Sequence, residues 1–446
     1  VNTASPSLIT RAKTAVPEGT FVVGVGMVAA AAAAYIVVII VNAAVGNTEY
    51  AGFAVFWSLL FIVGPGLFLP LEQEVARAIS QRRTEGTGSA PLVRKAALLG
   101  AGTAVVLVLA SIALGPLIVD HLFHGNTLLL VGFVIGLVGF AVMHLVRGVC
   151  AGNGRFMPYG VMIGSEGVIR LAFVVVLAIV GVKTSGPYGI AMGVAPFIAA
   201  LAVFLDGKGL LGKGPAAAWS ELSTALALLL VGSVLAQALA YSALLVVNVT
   251  QGSSNPEVAR SFTNAFFVAR IPVLMFMAVQ AALLPRLARL AAAEAHLDFR
   301  AAFKRLLVVV VGVAILGTIV AAAIGPFVGK LLFSPEKFQI SNINLGVLAA
   351  GSGAFIIGQT VAQALIALKK YAHVAISLAF GCFGFVVAAV ALAGESDAML
   401  RASLAFLIGA LVATAGMLIS MAKDIRGPLP DGMTLIETIE SEAIEI

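Results

Sequence analysis

The feature that most constrains this chain is the recurrence of apolar runs of about 20 residues, the length a helix needs to cross the hydrocarbon core of a bilayer. Such runs fall near residues 20–45, 51–71, 96–119, 128–150, 160–182 and 188–205. After a polar connector, six more follow near 225–249, 261–284, 306–329, 343–368, 373–393 and 402–421. Of the 446 residues 61% are hydrophobic and only 11% charged, whereas a soluble domain carries about a quarter charged residues. The spans use up the chain and leave no separate soluble domain. The first run is longer than a signal-peptide core and reads as a retained helix. Because lipid cannot satisfy backbone polar groups, the expected fold class is all-α: a polytopic membrane protein of about 12 transmembrane helices.

Charge placement orients these spans. With the N-terminus inside, the outer loops hold only Lys183, Arg260, Lys330, Lys337 and Arg401, and Arg170 and Arg270 lie within spans; every other one of the 27 lysines and arginines falls on the inner side. Short cytoplasmic loops collect positive charge. The reading is therefore an inner-membrane protein with both termini cytoplasmic, and the net charge of +6 is a matter of topology and not of nucleic acid.

The pattern also repeats. The inner loops after the second and eighth spans are the most basic, the first span of each half ends in Val-Asn (Val41 and Asn42, Val247 and Asn248), and the second exits at Leu-Pro (Leu69 and Pro70, Leu284 and Pro285). This divides the chain into a six-helix bundle at 1–205, a cytoplasmic connector at 206–224, a second six-helix bundle at 225–421 and a cytoplasmic tail at 422–446. Six is an even number of crossings, so the halves share one orientation.

The stretch Gly46-Asn47-Thr48-Glu49-Tyr50-Ala51-Gly52-Phe53, then an apolar helix and Pro70-Leu71-Glu72-Gln73-Glu74-Val75-Ala76-Arg77, resembles the first two helices of polysaccharide exporters and O-antigen-type flippases of the multidrug/oligosaccharidyl-lipid/polysaccharide exporter superfamily. The resemblance implies two bundles around a central cavity lined by helices one, two, seven and eight, and alternating access that carries a lipid-linked saccharide. It also implies membrane lipids and envelope-biosynthesis glycosyltransferases as partners. Many relatives carry a basic residue near the outer end of the first helix; Asn42 stands there in this chain.

Ionisable groups inside a membrane cost about 2.5 to 3.5 kcal/mol on insertion scales, so each needs a partner or a wet cavity. Arg270, two residues before Pro272, either meets a phosphate or acidic sugar in the cavity or satisfies carbonyls freed by the proline. Glu166 and Arg170 stand one turn apart and Arg147 lies nearby on helix four, either as a structural ion-pair network or with Glu166, the one acidic residue read as deep in a span, as a coupling group. Asn42, Gln237, Asn248, Asn264 and Gln280 are uncharged cavity candidates, with Arg77 at the inner end of helix two; Gln359 and Gln363 read as interhelical packing. Cys150 and Cys382 stand in no metal-binding pattern and read as packing residues. No metal or cofactor is expected.

Three functions compete on this basis: a flippase for a lipid-linked saccharide, a cation-coupled multidrug antiporter of the same superfamily, and a polyprenyl-phosphate-dependent glycosyltransferase. The last needs acidic catalytic residues in sizeable outer loops, which are short here, so a non-enzymatic transporter is expected. No phosphate-cradling P-loop occurs, so the chain does not itself hydrolyse ATP.

Overall fold

The computed structural model describes residues 20–205, 211–222, 226–271 and 296–425. Among the described residues every long element is an α-helix: α1 (Thr20–Ala44), α2 (Asn47–Thr84), α3 (Ala90–Ala113), α4 (Thr127–Gly152), α5 (Phe156–Ile179), α6 (Ser185–Leu205), α7 (Leu226–Gln251), α8 (Pro256–Val268), α9 (His296–Phe333), α10 (Asn342–Ala367), α11 (Tyr371–Ala391) and α12 (Ala398–Ile425). Eleven are long and apolar enough to cross a membrane, and large apolar side chains such as Val106, Ile179, Phe383 and Ile419 point outward. The chain is a multi-pass membrane protein. The expected Pro272, Gln280 and Pro285 of the eighth span, and the acidic tail, lie outside the described residues.

The helix pairing carries an internal repeat. In the first half α1 packs on α5, α2 on α4, α3 on α4, α4 on α6 and α5 on α6. Adding six to each number gives α7 on α11, α8 on α10, α9 on α10, α10 on α12 and α11 on α12, and all of these are packed pairs too. The same operation turns the principal contact between halves, α2 on α7, into α8 on α1, which is also a contact. Two six-helix bundles therefore meet along a seam made by α1, α2, α7 and α8.

Helices in lipid gain little from apolar attraction, so they associate where small residues let backbones approach. Gly160, Gly164 and Gly167 stand three and four apart on α5 and so share one face, which lies against α1. A Cβ at Gly160 would lie 2.6 Å from the Val23 backbone nitrogen, and one at Gly167 would lie 2.7 Å from the Ala30 Cα.

The second helix differs from expectation. Instead of ending near residue 71 it runs unbroken from Asn47 to Thr84, through Pro65 and Pro70. Leu71, Val75, Ala78, Ile79 and Arg82 are buried along it, spacings of four, three, one and three that keep one face of an amphipathic helix on the first bundle. The basic stretch is thus the extension of α2 beyond the apolar run. Arg260, expected in an outer loop, is instead in α8 and only 3% exposed.

Gly160→Val should cost about 1–3 kcal/mol, because the added methyl groups meet α1 backbone that has no rotamer to yield. Thermal unfolding in lipid nanodiscs measures this; an unchanged midpoint would mean that α1 and α5 are not held by this contact.

Candidate functional site

The loops after α2, α4 and α10 lie on what is called the basic face, and those after α1, α3, α7 and α9 on the opposite face. At the opposite face, α1 ends at Ala44 with carbonyls that have no helical partner. Second-bundle cations supply the donors. Arg260 donates from Nη1 to the Asn42 carbonyl at 3.1 Å and from Nη2 to the Val45 carbonyl at 2.6 Å, while Lys337 Nζ reaches the same Asn42 carbonyl at 3.0 Å. Positive charge at a helix C-terminus also suits the helix dipole. Side chains complete the latch: Tyr50 donates to Asn264 Oδ1 at 2.8 Å, and Asn264 Nδ2 donates to Asn42 Oδ1 at 3.3 Å and to the Lys337 carbonyl at 2.7 Å. Ser253 Oγ and His124 Nδ1 add a 3.0 Å contact between loops of the two halves.

Below the latch an aromatic layer fills the seam. Tyr35 of α1 donates to the Phe267 carbonyl at 2.8 Å. Trp57 meets Phe267 edge-on with ring centroids 5.5 Å apart, and Phe61 stacks on Tyr241 at 6.3 Å. Arginines flank the layer on both sides. Arg170 lies 5.9 Å from the Trp57 ring and 5.7 Å from that of Phe61. Arg270 lies 4.2 Å from the Phe266 ring and 4.9 Å from that of Tyr241, distances at which a guanidinium is attracted to an aromatic face. Arg270 also donates to the Ala240 carbonyl of α7 at 2.7 Å.

Towards the basic face the seam widens into a cavity of about 170 Å³ between α2, α7, α10 and α11. Gln73, Gln237, Gln359 and Gln363 line it. The cavity candidate Gln237 and the expected packing residues Gln359 and Gln363 thus line the same space. Arg77 does not line it; it pairs with Glu74 at 2.6 Å and donates to the Glu221 carbonyl at 2.6 Å. Asn248 is turned into the second bundle, where it donates to Thr263 Oγ1 and to the Leu244 carbonyl, each at 2.9 Å.

The first bundle keeps its own charges to itself. Glu166 and Arg170 pair on α5. Arg147 does not join them; its partner is Glu72 of α2, at 3.3 Å, with His144 Nδ1 2.6 Å and the Tyr159 hydroxyl 2.8 Å from the same carboxylate. Glu72 is 4% exposed, so Glu166 is not the one acidic group deep in a helix. It escaped sequence reading because the apolar run stops at Leu71; the buried stripe continuing through Val75 and Ile79 was the available signal. His144 Nε2 and Arg147 Nε are buried with no partner among the described residues. Asn126 and Ser185 tie Glu49 of the resemblance motif into the first bundle, where the Ser185 backbone N–H donates to it at 2.7 Å.

On the basic face residues 211–222 dock onto the first bundle. Arg82 forks onto the Glu221 carboxylate at 2.6 and 3.0 Å, and Lys95 sits 4.8 Å from the Trp219 ring. The Arg82 hydrogen bonds, aided by the Ala218 N–H and opposed by burial, hold the Glu221 carboxyl below its ordinary value of 4.5.

The structure is thus a polytopic two-bundle fold whose seam is closed at one end and hollow at the other. The comparisons agree on the fold. A mutant of the Vibrio cholerae MATE transporter VcmN superposes with a TM-score of 0.69 at 16% identity, over 92% of this chain and 96% of that one. An inward-facing multidrug resistance MATE family transporter of the MOP superfamily gives 0.64 at 14%, over 88% and 94%, and an outward-facing form gives 0.66 at 14%, over 91% and 94%. The chain therefore has the fold of MATE transporters. In sequence, uncharacterized proteins of Mycobacterium tuberculosis strains CDC 1551 and H37Rv are 33% identical over 138 residues, 30% of this chain and 31% of theirs. The match thus spans about a third of these curated relatives. No family model matches the sequence.

Because the folded pKa of Glu221 lies below its unfolded value, its contribution to docking is fully present above about 4.5 and is lost as pH falls through the lowered value. Limited proteolysis of residues 211–222 should therefore be slow at pH 7 and accelerate only below the ordinary carboxylate range. Glu221→Gln should be cut readily at both; equal cutting of both proteins at pH 7 would remove the clamp from the account.

Proposed function

We propose that the protein is an alternating-access exporter that takes an amphipathic solute from the basic, cytoplasmic face of the bacterial plasma membrane, of the kind represented by multidrug antiporters. One observation carries this reading. The two bundles are bound together at the opposite face by Arg260, Lys337, Asn264 and Tyr50, while the basic end of the same seam is hollow. The MATE neighbours favour the multidrug form, and they occur in both inward- and outward-facing arrangements. Glu72 with His144, and Glu166 with Arg170, are the buried groups available for ion coupling.

A lipid-linked saccharide as cargo is the second reading, and a specific observation favours it. None of the cavity-lining residues is acidic, whereas Arg270, Arg260 and Lys337 stand along the seam bonded to carbonyls. A cationic drug would find no counter-charge there, and a phosphorylated headgroup would.

Gln359→Cys, in a background lacking Cys150 and Cys382, should react with a membrane-impermeant thiol reagent from the basic face only. Adding Arg260→Gln and Asn264→Ala should unlatch the opposite face and expose it there. A site that never changes side would leave the chain without alternating access.

Arg270 separates the two cargoes. Arg270→Lys should keep part of lipid-linked saccharide translocation, since charge survives without the fork, and Arg270→Ala should lose most of it at matched expression. Unimpaired translocation in Arg270→Ala would reduce the residue to packing between α7 and α8.

A further inference from the structure

We infer that the basic-face cavity is a binding site for an uncharged, hydroxyl- or amide-rich group such as a sugar ring, read by the four glutamines Gln73, Gln237, Gln359 and Gln363. The inference rests on the exporter reading only in treating this cavity as the loading site.

Placement comes first. Gln359 and Gln363 stand one turn apart and so share a face of α10. Gln237 enters from α7 and Gln73 from α2. The second bundle thus supplies three amides and the first bundle one, with the Ser233 and Tyr371 hydroxyls in the same wall. Neither Cys382, which donates to the Leu235 carbonyl at 3.5 Å, nor any other described side chain uses these amides as a hydrogen-bond partner.

Chemistry then narrows the ligand. A primary amide offers two donors and one acceptor, so four of them present a mixed field that matches groups able both to give and to take a hydrogen bond. Hydroxyls and acetamido groups do both. An alkyl group filling the cavity would displace water from the amides without replacing its hydrogen bonds, which is costly. A quaternary ammonium or a carboxylate would find no charge among the lining residues. Apolar walls from Leu69, Val374 and Leu378 suit the carbon faces of a ring.

Since Gln73 belongs to the first bundle and the others to the second, a ligand held by all four spans the seam. It is therefore placed to bias the opening of the bundles, because its contacts differ between the two states. Arg270 is outside this set, so charge and hydroxyl groups of one cargo would be read at separate places.

The test uses the full chain in lipid nanodiscs and three probes with the same tail: hexyl β-glucoside, hexyltrimethylammonium and hexyl sulfate, each below its self-association concentration. Equilibrium binding should rank the glucoside first. Gln359→Leu with Gln363→Leu should weaken glucoside binding about tenfold or more, as expected for two lost hydrogen bonds. Gln237→Leu should weaken it severalfold, and this single change carries the test if the double variant does not fold. Gln339→Leu, a glutamine at the opposite face, should bind as the parent does. Unaltered glucoside affinity in Gln237→Leu and the double variant overturns the site, as does preference for the ammonium probe lost in the same variants. Intact, Gln-dependent glucoside binding in a protein whose residue 359 never changes side would overturn the exporter reading and leave the site standing.

Discussion

The carbonyls that end α1 must find donors, because a helix C-terminus in a closed membrane seam has neither water nor another turn of helix to turn to. In this chain the donors come from the other bundle, from Arg260 on α8 and Lys337 between α9 and α10. The consequence reaches beyond the two residues. Arg260 can stay buried only while α8 lies against α1, and Asn264 then falls within hydrogen-bonding distance of both Asn42 and Tyr50. A local requirement of one helix end thus fixes how the two halves of the molecule meet.

Magnitudes explain which polar contacts cross the seam and which do not. Removing one partner of a buried ion pair costs about 3–5 kcal/mol, whereas a hydrogen bond to a charged group contributes about 1.5–3 kcal/mol and a neutral one about 1. The acid–base contacts Glu72 with His144 and Arg147, and Glu166 with Arg170, all lie inside the first bundle. Among the described residues, what crosses is a set of bonds to carbonyls, amides and a phenol, with the hydroxyl–imidazole contact of Ser253 and His124. Contacts of this strength can be exchanged for water when a seam opens; the ion pairs cannot be separated at comparable cost. The distribution suits bundles that move as bodies, the first keeping its ion pairs intact through the motion.

Much of this was legible in the sequence, and the parts that were not share a cause. Apolar runs and the lysine and arginine asymmetry carried the helices and the twofold repeat, since both depend on lipid and water alone. Asn42, Asn264 and Gln237 were recognisable as polar residues at membrane depth. Their partners were not, because Asn42 meets Lys337 and Asn264 across 295 and 222 residues of chain. Glu72 was hidden by an apolar run that ends one residue earlier, although the helix goes on. Arg260 was hidden by the opposite error, since its loop-like neighbourhood of Asn255 and Pro256 starts a helix that is buried from Ala259 onward. Gln359 and Gln363 looked like packing residues because sequence cannot distinguish an amide facing a helix from one facing a cavity.

The connector and the prolines of α2 set where such a motion would turn. Among the described residues, the bonds of 211–222 to the bundles run to the first, through Arg82 with Glu221 and through the Ala90 N–H with the Gly212 carbonyl. At the level of the cavity wall α2 passes close to α7: a Cβ on Gly66 would sit 3.3 Å from the Val234 Cα. Gly66 lies between Pro65 and Pro70, where α2 lacks two of its own backbone donors and bends at lower cost than elsewhere. With a latch at one end of the seam and a hollow at the other, this proline-weakened level of α2 beside the cavity is where a motion of the bundles would bend it at least cost. Rotation about it would close the glutamine-lined space as the carbonyls of α1 came free, so that each opening is bound to the other's closing by geometry, with no separate signal between the two ends.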